Sequence, residues 1–238
     1  LQNFLVTPQK AHYDAPMENE TPFFSERTSW ETHSNPLHQR LESMKKEGRE
    51  ILDLTATNPT HCGFRYLTEE LLTPLHHPQS LSYSPDPHGL LESRKAVCRY
   101  YAEKGVQVDP EQVFLTANTS EAYSYIFRTL FNPGEEILAP RPSYPLLDYL
   151  TAMHDLKLTR FGDQEKGLRA FLSSHSNIKA KRGLLLVHPN NPTGDYVSDE
   201  MRKHLYHQPE HCGMVIISDE VFLDYPLSSQ AKPSSFAG

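Results

Sequence analysis

The sequence predicts a doubly wound α/β fold: a mainly parallel sheet with helices on both faces, in three α/β/α layers. First, strand-like and helix-like segments alternate from residue 113 to residue 218. Second, Leu184-Leu185-Leu186-Val187 and Met214-Val215-Ile216-Ile217 are continuously apolar rather than alternating, as strands covered on both faces are. Third, 238 residues suffice to bury roughly 70–75% of the unfolded surface without disulfides or a metal.

Taken in order, residues 1–34 mix aromatic, polar and proline residues without period and predict an irregular arm. Residues 35–80 predict a helix, strand and turn segment. Asn35 is placed to cap, Pro36 takes the first helical position, and Leu37, Leu41 and Met44 share a face until Gly48. A short strand is expected at 51–54, the turn Thr57-Asn58-Pro59-Thr60 after it, and a helix at 65–77. The third unit, 81–238, is the expected large domain. It opens with a helix at 89–104, where Leu90, Val97 and Tyr101 lie on one side and Gly105 is the stop. Strands are then predicted at 113–116, 137–139, 156–161, 184–188 and 214–218. Helices are predicted between them at 120–131, 144–153, 165–174 and 199–206. The chain starts at Leu1 and stops after loop-like sequence at Gly238, so part of a longer protein is expected.

The net charge of −7 argues against a nucleic-acid partner or an anionic membrane surface. The apolar runs are far shorter than a bilayer span, and no basic segment precedes an apolar core near Leu1. Cys62, Cys98 and Cys212 are odd in number and widely spaced, which reads as reduced thiols of a cytoplasmic protein. His204, His207, His211 and Cys212 lie close in sequence, but Pro209 interrupts the helix that would align them, so no metal site is expected.

In such sheets ligands bind beyond the carboxyl ends of the strands. There, Asn118-Thr119-Ser120 leads into a helix whose free N–H groups suit a phosphate, although the segment on its own reads better as plain capping by Thr119 or Ser120. Pro140-Arg141-Pro142-Ser143-Tyr144-Pro145 is a stiff turn that would hold Tyr144 as a flat aromatic plate or as rim packing. His188-Pro189-Asn190-Asn191-Pro192-Thr193-Gly194 sets an amide side chain over the crevice. Asp219 closes a buried strand, where a carboxylate needs a cation or a donor.

The string Asn190-Asn191-Pro192-Thr193-Gly194, followed by Asp219-Glu220-Val221-Phe222, resembles the pyridoxal-phosphate aminotransferases of fold type I, class I/II. Tyr83-Ser84-Pro85, the Asn118-Thr119-Ser120-Glu121-Ala122 helix start, Asn132-Pro133-Gly134 and residues 140–145 extend the likeness. It covers about 35–238, that is, the N-terminal segment and most of the large domain. The resemblance implies that Asn118, Thr119 and Ser120 seat the phosphate of pyridoxal 5'-phosphate. Tyr144 would stack on its ring, Asn191 would donate to the ring oxygen, and Asp219 would pair with the protonated ring nitrogen. Tyr83 would reach the phosphate held by a second copy, implying a homodimer. Thr57 and Asn58 are the expected substrate contacts.

The sequence departs from the family twice. Phe222 stands where the family usually has tyrosine, which keeps the shape and loses a donor to the ring oxygen. The Schiff-base lysine, expected in a Ser-x-x-Lys-like segment beyond Asp219, is absent; Lys232 lies in a proline context without that pattern. The expected function is amino-group transfer between an amino acid and a 2-oxo acid, with this chain the N-terminal part of the enzyme. An inactive binding protein of the same fold, or a related lyase or synthase, are the alternatives.

Overall fold

The computed structural model describes residues 25–30, 35–52, 58–174, 182–207, 214–225 and 234–237. Helix α1 (Pro36–Lys46) starts as the sequence predicts: Asn35 Oδ1 accepts from the Leu37 N–H at 2.8 Å, Pro36 follows, and Gly48 closes the end at φ +69°. The long helix expected at 65–77 is instead a short α2 (Thr68–Leu72) followed by 3-10 turns at Thr73–His76 and Pro78–Leu81. Pro74 and Pro78 have no N–H to carry a helical ladder onward. The strand expected at 51–54 is not formed by Ile51 or Leu52; the rest of it lies outside the described residues. Helix α3 (Leu91–Glu103) is anchored by Arg94, which is 5% exposed and donates to the carbonyls of Gly89 and Pro110 and to Glu111 and Asp86.

The sheet consists of β1 (Glu136–Pro140), β2 (Lys157–Phe161), β3 (Arg182–Val187) and β4 (Val215–Asp219). All pairs are parallel, in the order β2-β1-β3-β4. Alternate side chains of each strand point to opposite faces. Ile137, Ala139, Leu185, Val187 and Ile217 pack under α4 (Thr119–Leu130) and α5 (Leu147–Met153) through Tyr123, Phe127, Leu147 and Leu150. Leu138, Leu184, Leu186 and Ile216 pack under α6 (Gln164–Ser174) and α7 (Asp199–His207) through Leu168, Met201 and Leu205. The chain leaves β1 toward β2 by α5, then returns across β1 to β3 and β4 by α6 and α7. Right-handed crossovers running in opposite directions must lie on opposite faces, which produces the three layers.

The strand predicted at 113–116 is not one. Val113 is extended and Leu115 N–H bonds to His88 O at 2.9 Å, but among the described residues no strand pairs with the segment. Phe114 and Leu115 are exposed there. The helix expected from residue 144 starts three residues later, because Pro145 disfavours helical backbone at Tyr144.

Candidate functional site

Strand order reverses at β1, so the carboxyl ends of β1, β3 and β4 open one crevice. At the end of β4, Asp219 Oδ2 accepts from the Tyr123 hydroxyl at 2.6 Å, and Oδ1 accepts from the Val221 N–H at 3.1 Å. The donor that a carboxylate at this strand end requires is thus a buried phenol. The next carboxylate faces away into other work: Glu220 accepts from Ser218, from Ser235 Oγ at 2.7 Å and from the Phe236 N–H at 2.7 Å. The turn that follows is tied to α3, where Tyr100 donates to Asp224 at 2.7 Å and Lys104 pairs with it. These contacts, Lys104 first, hold the Asp224 carboxyl below the usual range and fix the turn that carries Phe222.

Beyond β3, the backbone doubles back between Asn190 and Asp195: Asn190 N–H donates to Asp195 O and Gly194 N–H to Asn190 O, with Gly194 at φ +74°. Asn190 is 4% exposed and reaches across to the loop after β1, donating to Pro142 O at 3.1 Å and to Thr193 at 2.9 Å. Asn190 is therefore the structural asparagine of the pair, and Asn191 is the one presented to the crevice. Tyr144 packs half-buried against the core beneath α4 and α5.

Helix α4 enters the crevice by its N-terminus. Asn118 Oδ1 caps the Glu121 N–H at 2.9 Å, and the Glu121 carboxylate reaches back to the Ala117 N–H at 2.6 Å. That contact, with Tyr125, holds Glu121 below the usual carboxylate range. As the first N–H groups of α4, those of Thr119 and Ser120 have no carbonyl within the helix to bond to.

Thr119, Tyr144, Asn191, Asp219 and Phe222 come together with Val187 and Val221 around a cavity of about 130 Å³. Five of the expected side chains, drawn from four separate segments, thus line one space. It adjoins a larger hollow of about 590 Å³ along the open side of β4, with Thr119, Asp219 and Val221 in both walls. The structure does not bring the side chains of the other expected residues into the lining of this cavity. The Asn118 side chain is spent on its cap, and Ser120 stays on the first turn of α4 outside the lining. Tyr83 is 92% exposed, Asn58 caps the turn at Thr60, and Thr57 lies outside the described residues. No lysine lines the cleft among the described residues, and Lys232 is not among them. Neither a metal-ligating group nor a helix long and apolar enough to cross a membrane occurs among the described residues.

Sequence reasoning missed Tyr123. Its only signal was a hydroxyl on an otherwise apolar stripe, one turn inside α4.

A family model described as aminotransferase class I and II matches residues 49–234. The glutamate-pyruvate aminotransferase AlaA of Haemophilus influenzae is 28% identical over 193 residues, covering 79% of this chain and 47% of that protein. The S-alkyl-thiohydroximate lyase SUR1 of Arabidopsis thaliana is 31% identical over 163 residues, covering 65% of this chain and 35% of that protein. Among solved structures, an alanine aminotransferase from Pyrococcus furiosus superposes with a TM-score of 0.68 at 25% identity, over 84% of this chain and 51% of that one. An Escherichia coli aminotransferase gives 0.70 at 25% identity, over 94% and 55%. The chain spans about half the length of the curated relatives it matches.

Proposed function

Because this chain belongs to the class I and II aminotransferases, we propose that the protein carrying it transfers an amino group between an amino acid and a 2-oxo acid. The cofactor of the family is pyridoxal 5'-phosphate, and the donor set fits it. A carboxylate with acceptor positions to spare, an amide, an aromatic side chain and free helix N–H groups suit a flat ring with a protonated nitrogen and an anionic arm. The observation that carries the proposal is the convergence of Thr119, Tyr144, Asn191, Asp219 and Phe222 on one cleft.

When bound, the cofactor supplies a ring that draws charge from the α-carbon of the amino acid. The chain's own groups would do the holding. The α4 N-terminus would seat the phosphate through the Thr119 and Ser120 N–H groups and the positive end of the helix dipole. Tyr144 would pack on the ring. Asn191 would donate to the ring oxygen, where Phe222 would offer apolar contact and no second donor. Asp219 would accept from the ring nitrogen and keep it protonated. The names of the relatives support alanine, glutamate and pyruvate as substrates.

A homodimer belongs to the same reading. Phe64, Leu67, Leu71, Leu75, Leu81 and Tyr83 are all exposed on the segment before α3, an apolar surface that a second copy would cover. Tyr83 would then reach the partner's cleft.

The lyase of 31% identity favours a second reading, cleavage rather than transfer. An assay of the full protein with an amino acid, a 2-oxo acid and the cofactor distinguishes them. Transfer yields a new amino acid in step with the new 2-oxo acid, and Asp219→Ala lowers the rate at least a hundredfold. Formation of a 2-oxo acid or thiol with no new amino acid supports the lyase, and no product of either kind overturns both.

A further inference from the structure

Tyr123 stands behind the cleft rather than in its wall. It is 2% exposed, with its ring 5.7 Å from that of Phe127 and packed in the core with Val187 and Ile217. A phenylalanine would fill the same space. What phenylalanine would lack is the hydroxyl that meets Asp219 Oδ2 at 2.6 Å. Burial first, and then the neighbouring carboxylate, push the Tyr123 phenol far above its ordinary range. It therefore stays protonated, and the bond has one sense: Tyr123 donates and Asp219 accepts. The Val221 N–H engages the other oxygen at 3.1 Å. An ionised carboxylate has about four acceptor positions. With one taken on each oxygen by a rigid partner, the plane of the group is set and one position on each oxygen remains.

We propose that Tyr123 is a positioning residue that holds the Asp219 carboxylate in the orientation in which it accepts from the protonated ring nitrogen of the bound cofactor. Tyr123 thereby sets how strongly the site prefers a pyridine ring to one without that nitrogen. This deepens the cofactor reading of the cleft and rests on it. A bond from a fixed donor to a charged acceptor is strong enough to matter on this scale, since the aligned anion then faces the ring without reorganisation.

Calorimetric binding of pyridoxamine 5'-phosphate and of its analogue with carbon in place of the ring nitrogen tests the role in the full protein, in Tyr123→Phe and in Asp219→Asn. Neither compound needs a lysine to bind. The wild type should prefer the pyridine compound, and Asp219→Asn should abolish the preference. Tyr123→Phe should cut it about tenfold by weakening the pyridine compound alone, with the analogue unchanged within twofold. Equal weakening of both compounds would mean that Tyr123 only supports the core, and would overturn the proposal. A preference that Asp219→Asn abolishes and Tyr123→Phe leaves intact would also overturn it, while the cofactor reading stands. A wild type without any preference would overturn both.

Discussion

His188 is 1% exposed and both of its ring nitrogens are engaged. Nδ1 accepts from the Val197 N–H at 3.1 Å, which fixes the proton on Nε2, and Nε2 lies 3.1 Å from Ser234 O. One neutral side chain thus joins the turn that presents Asn191 to the segment packed beside Glu220. Burial, the largest influence, holds this imidazole below its ordinary pKa. Ser234 O and the Glu220 and Asp199 carboxylates pull the other way, and Arg202 reinforces burial. A depressed histidine pKa means that the unfolded chain binds the extra proton first as pH falls. Stability contributed by neutral His188 is therefore present above the ordinary imidazole pKa, about 6.5, and is lost below it, at up to about 1.4 kcal/mol per pH unit. Urea unfolding at pH 7.5 and 5.5 should show the loss, and His188→Gln should remove part of the pH dependence while lowering stability at pH 7.5. An equal pH dependence in the variant would contradict this account. Asn191, Tyr144 and Asp219 were legible in the sequence because turn chemistry after buried strands leaves local signatures. Tyr123 was not, because its partner lies 96 residues away and its local surroundings read as core.

Among the elements, strands β3 and β4 announced themselves by composition, since strands covered on both faces carry such runs as Leu184-Leu185-Leu186-Val187 and Met214-Val215-Ile216-Ile217. Helix α1 announced its start by Asn35, whereas α4 starts at Thr119 with Asn118 as its cap, one residue before the start the sequence predicts, because Asn118 Oδ1 takes the Glu121 N–H. The segment 113–116 has equally strand-like residues and forms no strand, because strand identity needs a hydrogen-bonding neighbour that no local pattern encodes. Close approach is another property invisible to periodicity. Gly183 opens β3 directly beneath the core: a Cβ there would lie 2.5 Å from Ile137 Cδ1 and 2.8 Å from Phe131 Cζ. Gly183→Ala is expected to cost about 1–3 kcal/mol through overpacking. It should lower the thermal midpoint, and a midpoint equal to wild type would show that the β1–β3 layer has slack.

On the scale of the whole molecule, the sheet is a frame that converts sequence distance into proximity. Tyr144, Asn191 and Asp219 meet because parallel strands deliver the carboxyl ends of β1, β3 and β4 to one side, where Thr119 at the start of α4 joins them. The three-layer architecture and the cleft followed from alternation and motif order together. The exposed apolar face before α3 did not, because its residues carry no period that marks an interface rather than a core. The protonation state of the ring nitrogen reads the central claim most directly. Nitrogen-15 NMR of ring-labelled pyridoxamine 5'-phosphate bound to the full protein, at a pH where the free compound has lost that proton, should show a protonated nitrogen, and a neutral one in Asp219→Asn. A bound ring that is neutral in the wild type, or equally protonated in both proteins, would place the nitrogen away from Asp219 and contradict the account.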